Sequence, residues 1–564
     1  MKKNYLLWII IYLGSVMHLF VMQNYLVLNN ADDFAYLQMA SHLADFDIAG
    51  FGSGWFGFLY SLPIALFKLV FQDNFISAFL INIILFAITA LLLFKLSRKI
   101  LSKNFSLIAI IFLYLSPFLL NFNIHVLSEN IYIPLFLWLL INLEKLYSNF
   151  NYKNIILISF NLTLLYLTRA EAFIYIGSVG LYLLAIFFHH KNINFTNIFK
   201  KGLVLVAGFF VFISPYIFYL YSFTGEIGLT NKGASNFRQA QMRGIEKQDD
   251  IGFERAVGEL TEDNHHLIAG FAGGLDYDKP NIKGGVLSSI INNPGETIIR
   301  QFTNQKKVLL EAIPRITIGE GLNRFLDEKS SLYKFRYLVL FLSGVVLLVF
   351  AYGLILLFIN RKYSVFYPYF LTFLTAFIFF TIFFVILRYF VIFLPLFYTI
   401  FLYGLENIIK KFRNIYSKIV SAILIGFLLL ISAYGCLAYN NNLTKLNDKY
   451  LLKKQAGLYL KDKYKNSENN EELKIMERFP IVTYYSGTLK RILTPYSDNF
   501  DNILEYARYN NIDYLIVDTM DFLSYRPQFK DLLDTKNKIN GLKVESIFKD
   551  SEGAKVIIYK FDFQ

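Results

Sequence analysis

Apolar residues in this chain come in long unbroken runs rather than in the short alternations of a soluble core. Eleven runs reach the roughly 20 mostly apolar residues that a membrane-spanning helix takes. They begin near residues 5, 75, 104, 131, 154, 172, 202, 335, 364, 389 and 416. The pattern predicts an α-helical multi-pass membrane protein with about eleven transmembrane helices. The first run follows Met1-Lys2-Lys3, and no small-residue cleavage site precedes Asn29, so it reads as an uncleaved signal anchor. Asp32 to Ala40 opens a short amphipathic helix, and a second apolar run from Phe56 to Phe71 suits the membrane interface. Past residue 440 the period changes. Lys474-Ile475-Met476, Asp513 to Asp518 and Lys555 to Tyr559 read as strands, separated by helical stretches such as Asn502 to Tyr509. A small α/β domain over 440–564 is therefore expected after a membrane module over 1–439.

Composition agrees with the runs. Of 564 residues, 55% are hydrophobic and only 17% charged, and the 59 Phe and 39 Tyr suit lipid-facing helices and their interfacial ends. The net charge of +13 is not gathered into one stripe, as it would be in a nucleic-acid binder, but recurs in short clusters between apolar runs. With a cytoplasmic N-terminus, the inside loops hold Lys95, Arg98, Lys99 and Lys103; Lys145 and Lys153; Lys191, Lys200 and Lys201; Arg361 and Lys362; and Lys410, Lys411, Arg413 and Lys418. The short outside loops hold only Lys68, Arg169 and Arg388. This positive-inside bias puts the loops 28–74 and 223–333 and the α/β domain on the extracytoplasmic side of a cell (inner or plasma) membrane. The single cysteine, Cys436, lies in a late apolar run and leaves no disulfide framework or thiolate metal site. No P-loop, dinucleotide fingerprint or HExxH spacing occurs, no transporter-like repeat stands out, and the adjacent His265 and His266 read as loop residues.

Candidate chemistry then concentrates on one side. Asp32 and Asp33 follow the first run. A carboxylate there can deprotonate an acceptor arriving from water, while the alternative is a helix cap, with Asp32 or Asn30 accepting backbone N–H bonds. Glu129 starts an apolar helix, where the macrodipole alone also favours a carboxylate. Arg169 and Glu171 share a turn with almost no polar surroundings, which suits either an internal ion pair or a cavity. Arg388 opposes the charge bias at the outer end of its helix. A bound phosphate explains it, and so does snorkelling to lipid headgroups.

Taken in order, these segments resemble the GT-C superfamily of polyprenyl-phosphate-sugar-dependent glycosyltransferases, in the branch of the protein O-mannosyltransferases and the lipid A aminoarabinose transferase. Asp32-Asp33 with Tyr36 resembles the family's acidic pair in the first outside loop, and Ser128-Glu129 its second-loop acidic site. Leu167-Thr168-Arg169-Ala170-Glu171 is similar to its Arg-Pro-Glu-Gly type turn, with Ala for Pro. Tyr221 to Glu226 leading to Leu229-Thr230-Asn231-Lys232-Gly233 resembles the exit into the large loop, and Arg388-Tyr389 with Leu394-Pro395 the Arg-Tyr plus Leu-Pro helix. Gln455-Ala456-Gly457, Tyr484-Tyr485-Ser486-Gly487, Asp513-Tyr514-Leu515 and Arg526-Pro527 are similar to tail motifs of bacterial members. Two departures stand out. The pair is Asp-Asp where many relatives have Asp-Glu, and the Trp-Trp-Asp type motif of oligosaccharyltransferases is missing, which points to transfer of a single sugar.

The resemblance implies an inverting glycosyltransferase that takes sugar from a polyprenyl-phosphate donor. It implies Asp32, Asp33 and Glu129 as the catalytic carboxylates, Asp32 as acceptor-activating base with the other two orienting. Arg388, Arg169 and Lys232 would meet the donor phosphate, and Tyr36, Glu171 and Tyr389 would support or orient. The partners implied are the lipid donor, a lipid, glycan or protein acceptor, and membrane lipids, with no nucleic acid. No cofactor is demanded, and a divalent cation is neither required nor excluded. A transporter or lipid-linked-glycan flippase would instead put paired charges near mid-membrane. A glycan polymerase or ligase would share the many spans and the large outer loop, without the early acidic pair and tail domain.

The charge bias makes a direct prediction. Cysteines introduced at Lys99, Lys201 and Lys411 should label only from the cytoplasm, and those at Asp32, His265 and Asp518 only from outside. Cytoplasmic labelling at position 265 would invert the orientation and move the proposed chemistry to the wrong face.

Overall fold

The computed structural model describes residues 4–25, 27–28, 30–47, 56–190, 193–224, 294–308, 336–383, 387–412, 415–465, 473–488, 491–497, 499–536 and 539–563. Lys232, His265 and His266, and most of the loop expected over 223–333, lie outside the described residues. The helices up to the end of the apolar region are α1 (Tyr5–Met22), α2 (Ala31–Ala44), α3 (Ser61–Phe71), α4 (Asn74–Ser97), α5 (Lys103–Tyr114), α6 (Pro117–Ile124), α7 (Glu129–Ser148), α8 (Tyr152–Thr168), α9 (Ile174–His189), α10 (Phe195–Thr224), α11 (Pro294–Lys307), α12 (Arg336–Ile359), α13 (Tyr363–Phe383), α14 (Leu394–Phe412) and α15 (Ile415–Tyr464).

Every one of the eleven apolar runs is helical. Among the described residues nine helices are long and apolar enough to cross a membrane, and α5 with α6 makes a tenth, bent by 56°. The bend has a local cause. Pro117 has no N–H with which to continue the α5 ladder, and Ser116 restarts the chain as an N-cap, its Oγ accepting from the Leu119 N–H at 3.3 Å. The eleventh run is α8, whose 17 residues cover about 25 Å, a little short of a full span. The interfacial run from Phe56 is helical as α3, with Leu66, Leu69 and Val70 exposed.

The described residues gather into two compact units. One lies within Met1–Gln23, Tyr36–Gly233 and Pro294–Asn441, and the other includes Asn24–Ala35 and Asn442–Gln564. In the first unit α14 is the central element, because every residue from Leu394 to Glu406 is buried, and a helix that is apolar all round must be enclosed by others. The α12 helix crosses it closely at two glycines. A Cβ on Gly353 would strike the Ile400 carbonyl oxygen, and one on Gly404 the Val349 carbonyl oxygen. Small residues are what permit backbones to approach so closely.

The second unit is built on a five-stranded sheet. Its elements are β1 (Ile475–Glu477), α16 (Ile481–Ser486), β2 (Arg491–Leu493), α17 (Phe500–Tyr509), β3 (Tyr514–Asp518), α18 (Phe522–Tyr525), β4 (Leu542–Lys549) and β5 (Lys555–Phe561). The order is β2-β1-β3-β5-β4, with β1 parallel to β2 and β3, and β5 antiparallel to β3 and β4. The three expected strands are present. The strands β2 and β4 were not legible: β2 has three residues, and β4 is interrupted between Val544 and Ser546 and never fully buried. The carboxylate of Glu477 caps α16 by accepting from the Val482 and Thr483 N–H groups at 3.0 and 2.8 Å. Lys453 of α15 is buried between Asp518 and Asp521, at 3.0 and 2.5 Å, and ties the helix to the end of β3.

The segment Asn24–Ala35, which carries the acidic pair, is part of this second unit. The Asn447 Nδ2 donates to the Asn24 carbonyl. The Leu28 N–H donates to the Tyr485 hydroxyl at 3.4 Å, and the rings of Phe34 and Tyr484 meet edge-on at 5.1 Å. Tyr484 and Tyr485 of the tail motif therefore hold the chain on either side of Asn30.

The glycine crossing can be tested directly. Gly353→Ala should lower the thermal stability of the detergent-solubilised protein, since forcing one methyl into a packed crossing costs about 1–3 kcal/mol. Gly344→Ala on the same helix, where a Cβ meets nothing within 4 Å, should show no loss. Equal behaviour of the two variants would show that the crossing tolerates a methyl group.

Candidate functional site

A buried cluster of charge forms where three helix ends come together in the first unit. Glu129 is the first residue of α7 and is fully buried. Arg169 is the C-cap of α8, in extended backbone (φ −150°, ψ 121°), which turns its side chain out of the helix path. Arg388 lies in a short 3₁₀ turn, Leu387–Tyr389, ahead of α14. A carboxylate in so dry a place stays ionised only with cations against it.

Two guanidinium groups supply them. Arg388 donates through Nη2 to Glu129 Oε2 at 2.9 Å and through Nε to Oε1, a two-bond fork. Arg169 donates through Nη1 to the same Oε1, and through Nε and Nη2 to Glu171 Oε1 at 2.8 and 2.6 Å. Two arginines and two carboxylates thus balance in charge. The Arg169 guanidinium also stands 5.8 Å from the ring centre of Tyr132 and 5.6 Å from that of Tyr389, within cation–π reach, and Tyr389 stacks on Phe380 at 4.6 Å.

The surroundings hold these ends in place. Asn130 Nδ2 donates to the carbonyls of Phe122, His125 and Leu127, at 2.9 to 3.1 Å, and so fixes the turn that leads into Glu129. Asn82 of α4 donates to the carbonyls of Asn123 and His125, both at 2.9 Å, and accepts from the Tyr60 hydroxyl at 2.6 Å. Asn123 in turn donates to Nδ1 of the buried His18, whose Nε2–H donates to the Tyr114 carbonyl at 3.0 Å, which fixes a neutral imidazole. The hydroxyl of Ser128, beside Glu129, is buried without a hydrogen-bond partner. Gly57 lets the chain lie on the end of α8: a Cβ there would strike the Leu167 and Thr168 carbonyls, and the Leu59 N–H donates to Leu167 at 3.2 Å.

In the second unit, Asn30 is the cap of α2, accepting from the Asp32 N–H at 3.1 Å through its side chain and from the Asp33 N–H through its carbonyl. Of the two capping candidates it is therefore Asn30 whose side chain accepts at the start of α2. The aspartates differ sharply. Asp33 is fully buried and accepts from the Tyr25 hydroxyl at 2.6 Å, whereas Asp32 is only half-buried.

Set against the sequence, the structure brings Glu129, Arg169, Glu171, Arg388 and Tyr389 together. The internal ion pair is present at Arg169, and Arg388 is paired with Glu129. Tyr36 is buried against Phe56 and Tyr60, at 5.4 and 5.2 Å between ring centres, with its carbonyl accepting from the Ser61 hydroxyl. Lys232 is outside the described residues. The supporting residues His18, Asn82 and Asn130 escaped the sequence reading. Their signal was an amide or imidazole inside an apolar run, where a polar group needs a partner. No group of three or more His, Cys, Asp or Glu side chains suited to a metal ion occurs among the described residues.

Comparison with known proteins follows the same lines. Residues 57–219, from α3 to α10, match the family model described as dolichyl-phosphate-mannose-protein mannosyltransferase. Glu129, Arg169 and Glu171 fall inside that match, and the acidic pair and Arg388 outside it. No curated protein matches the chain. The apo oligosaccharyltransferase of Archaeoglobus fulgidus superposes with a TM-score of 0.55 at 11% identity, covering 98% of this chain and 74% of that one. ArnT from Cupriavidus metallidurans, bound to undecaprenyl phosphate, superposes with a TM-score of 0.51 at 8% identity, covering 99% and 98%. The solved structures share this chain's fold over almost its whole length, and within it residues 57–219 resemble the family of the dolichyl-phosphate-mannose-protein mannosyltransferases.

Proposed function

We propose that the protein is an inverting glycosyltransferase that moves a single sugar from a polyprenyl-phosphate donor to an acceptor on the extracytoplasmic side of the membrane. The observation that carries the reading is the arginine pair on Glu129. Two guanidinium groups converge at the ends of membrane helices, and one of them already makes the two-bond fork that suits a phosphate as well as a carboxylate. The undecaprenyl phosphate in the structure of ArnT supports a lipid phosphate as the ligand class.

The chemistry assigned is a single displacement. The acceptor oxygen or nitrogen gives its proton to Asp32 and bonds to the anomeric carbon, while the bond from that carbon to the phosphate oxygen breaks. The lipid phosphate leaves with the electron pair, and its growing negative charge is met by Arg388 and Arg169, so no protonating acid is needed. Asp32 takes the base role because it is the more exposed of the pair and Asn30 already caps the helix. Asp33, buried on Tyr25, orients its neighbour. Glu129, whose oxygens are engaged by arginines, acts on the donor side rather than as a base. Tyr36, Glu171 and Tyr389 position these groups, and Lys232 is assigned to the phosphate on the family resemblance alone.

Asp32→Asn keeps the size and the fold of the capped helix, so it should leave expression and thermal stability unchanged. It should cut donor-dependent transfer by about two to four orders of magnitude, the usual loss on removing a general base. Asp33→Asn, measured in parallel, decides the pair: near-normal transfer in Asp32→Asn with none in Asp33→Asn would reverse the assignment, and activity in both would sink it.

Arg388→Lys keeps the charge but loses the fork, and should weaken polyprenyl-phosphate binding and slow turnover, with Arg388→Ala weaker still. Unchanged affinity in Arg388→Ala, read by titration in lipid nanodiscs, would remove the phosphate role.

A further inference from the structure

Glu129 occupies the donors that the phosphate needs. It is the most deeply buried member of its cluster, with about 1% of its side chain exposed against 23% for Arg388. It takes three of the guanidinium N–H bonds, two from Arg388 and one from Arg169. An acceptor-activating base must be reachable from water, and Glu129 is sealed from it with both oxygens engaged by arginines. Nor is it a mere helix-start carboxylate, since its partners come from residues 40 and 259 positions away in the chain.

Resting on the phosphate reading above, we infer that Glu129 is the built-in counter-ion of the phosphate site: it holds the two arginines in register and keeps the site from retaining the lipid phosphate product. With Glu129 and Glu171 against Arg169 and Arg388, the side chains sum to zero. A phosphodiester donor brings one negative charge, and the departing phosphomonoester up to two. Two arginines without Glu129 would bind that product most tightly of all, and turnover would stall on release. With Glu129 in place, the arginines shift part of their hydrogen bonding to the phosphate as its charge grows and return to the carboxylate when it leaves. Binding strength in the resting site is thereby exchanged for turnover.

The test compares variants of the full chain in lipid nanodiscs, titrated with a polyprenyl phosphate and, separately, with inorganic phosphate. Removing one negative charge a few ångströms from the ligand should tighten binding strongly, because a charge pair at this range stays substantial even at an effective dielectric near 20. Glu129→Gln is expected to bind polyprenyl phosphate at least tenfold more tightly, to release it more slowly, and to lower kcat and KM together. Inorganic phosphate should tighten by a similar factor, which assigns the effect to the headgroup; tightening of the lipid alone would overturn the inference.

Glu171→Gln is the second variant, since it leaves the fork of Arg388 intact and tests the same charge balance if Glu129→Gln fails to fold. It should tighten phosphate several-fold. Arg388→Ala separates the two readings. If it weakens polyprenyl-phosphate binding while both glutamine variants bind no more tightly than the parent, the counter-ion role is wrong and the phosphate site stands. If it leaves binding unchanged, the phosphate site and the counter-ion role fall together.

Discussion

A carboxylate that is sealed from water must be given its cations by the protein, and in this molecule that requirement falls on Glu129. Its two oxygens are met by Arg169 and Arg388, from the end of α8 and the turn ahead of α14. Removing one partner from a buried ion cluster typically costs several kcal/mol, because the remaining charge is left desolvated. The start of α7, the end of α8 and the approach to α14 are therefore bound to meet at one place. The rest of the first unit can be read as what makes that meeting rigid.

Rigidity comes from two sources of different kinds. The enclosed α14 and its glycine crossing with α12 supply apolar packing that sets the helix positions. The chain of buried amides from Tyr60 through Asn82 and Asn123 to His18, together with Asn130, supplies directional bonds that set the turn before Glu129. Polar groups this deep are costly unless satisfied, and here Asn82 and Asn130 between them hold the carbonyls of Phe122, Asn123, His125 and Leu127, at the end of α6 and in the turn after it. The second unit uses the same logic. Glu477, Asp518 and Asp521 spend their charge on helix starts and on Lys453, while Tyr484 and Tyr485 hold the segment that bears Asp32 and Asp33.

The contrast between the aspartates and Glu129 bears on function. Asp32 follows a cap supplied by Asn30, and Glu129 is the carboxylate on which two arginines close. Both are acidic residues at helix starts, so the two look alike in a linear reading. Their surroundings differ because Asp32 is only half-buried, whereas Glu129 is sealed from water and closed on two arginines.

The sequence by itself determined the apolar helices and the change to an α/β tail, because a span needs a run of apolar residues and a strand a local alternation, and both are written in neighbouring positions; it set eleven spans where nine helices, or ten with the bent pair, are long and apolar enough among the described residues. It also singled out Glu129, Arg169, Glu171 and Arg388, since a charge among apolar residues is conspicuous wherever it stands. The short strand β2, the interrupted strand β4 and the supporting Asn82, Asn130 and His18 carried too little local pattern to be read. Tertiary structure alone decided the pairing: that Arg388 closes on a carboxylate 259 residues away, that Asn30 rather than Asp32 caps α2, and that the acidic segment is held by tyrosines of the tail. Such choices depend on distance and desolvation between groups far apart in the chain, and neither quantity is set until the helices have packed.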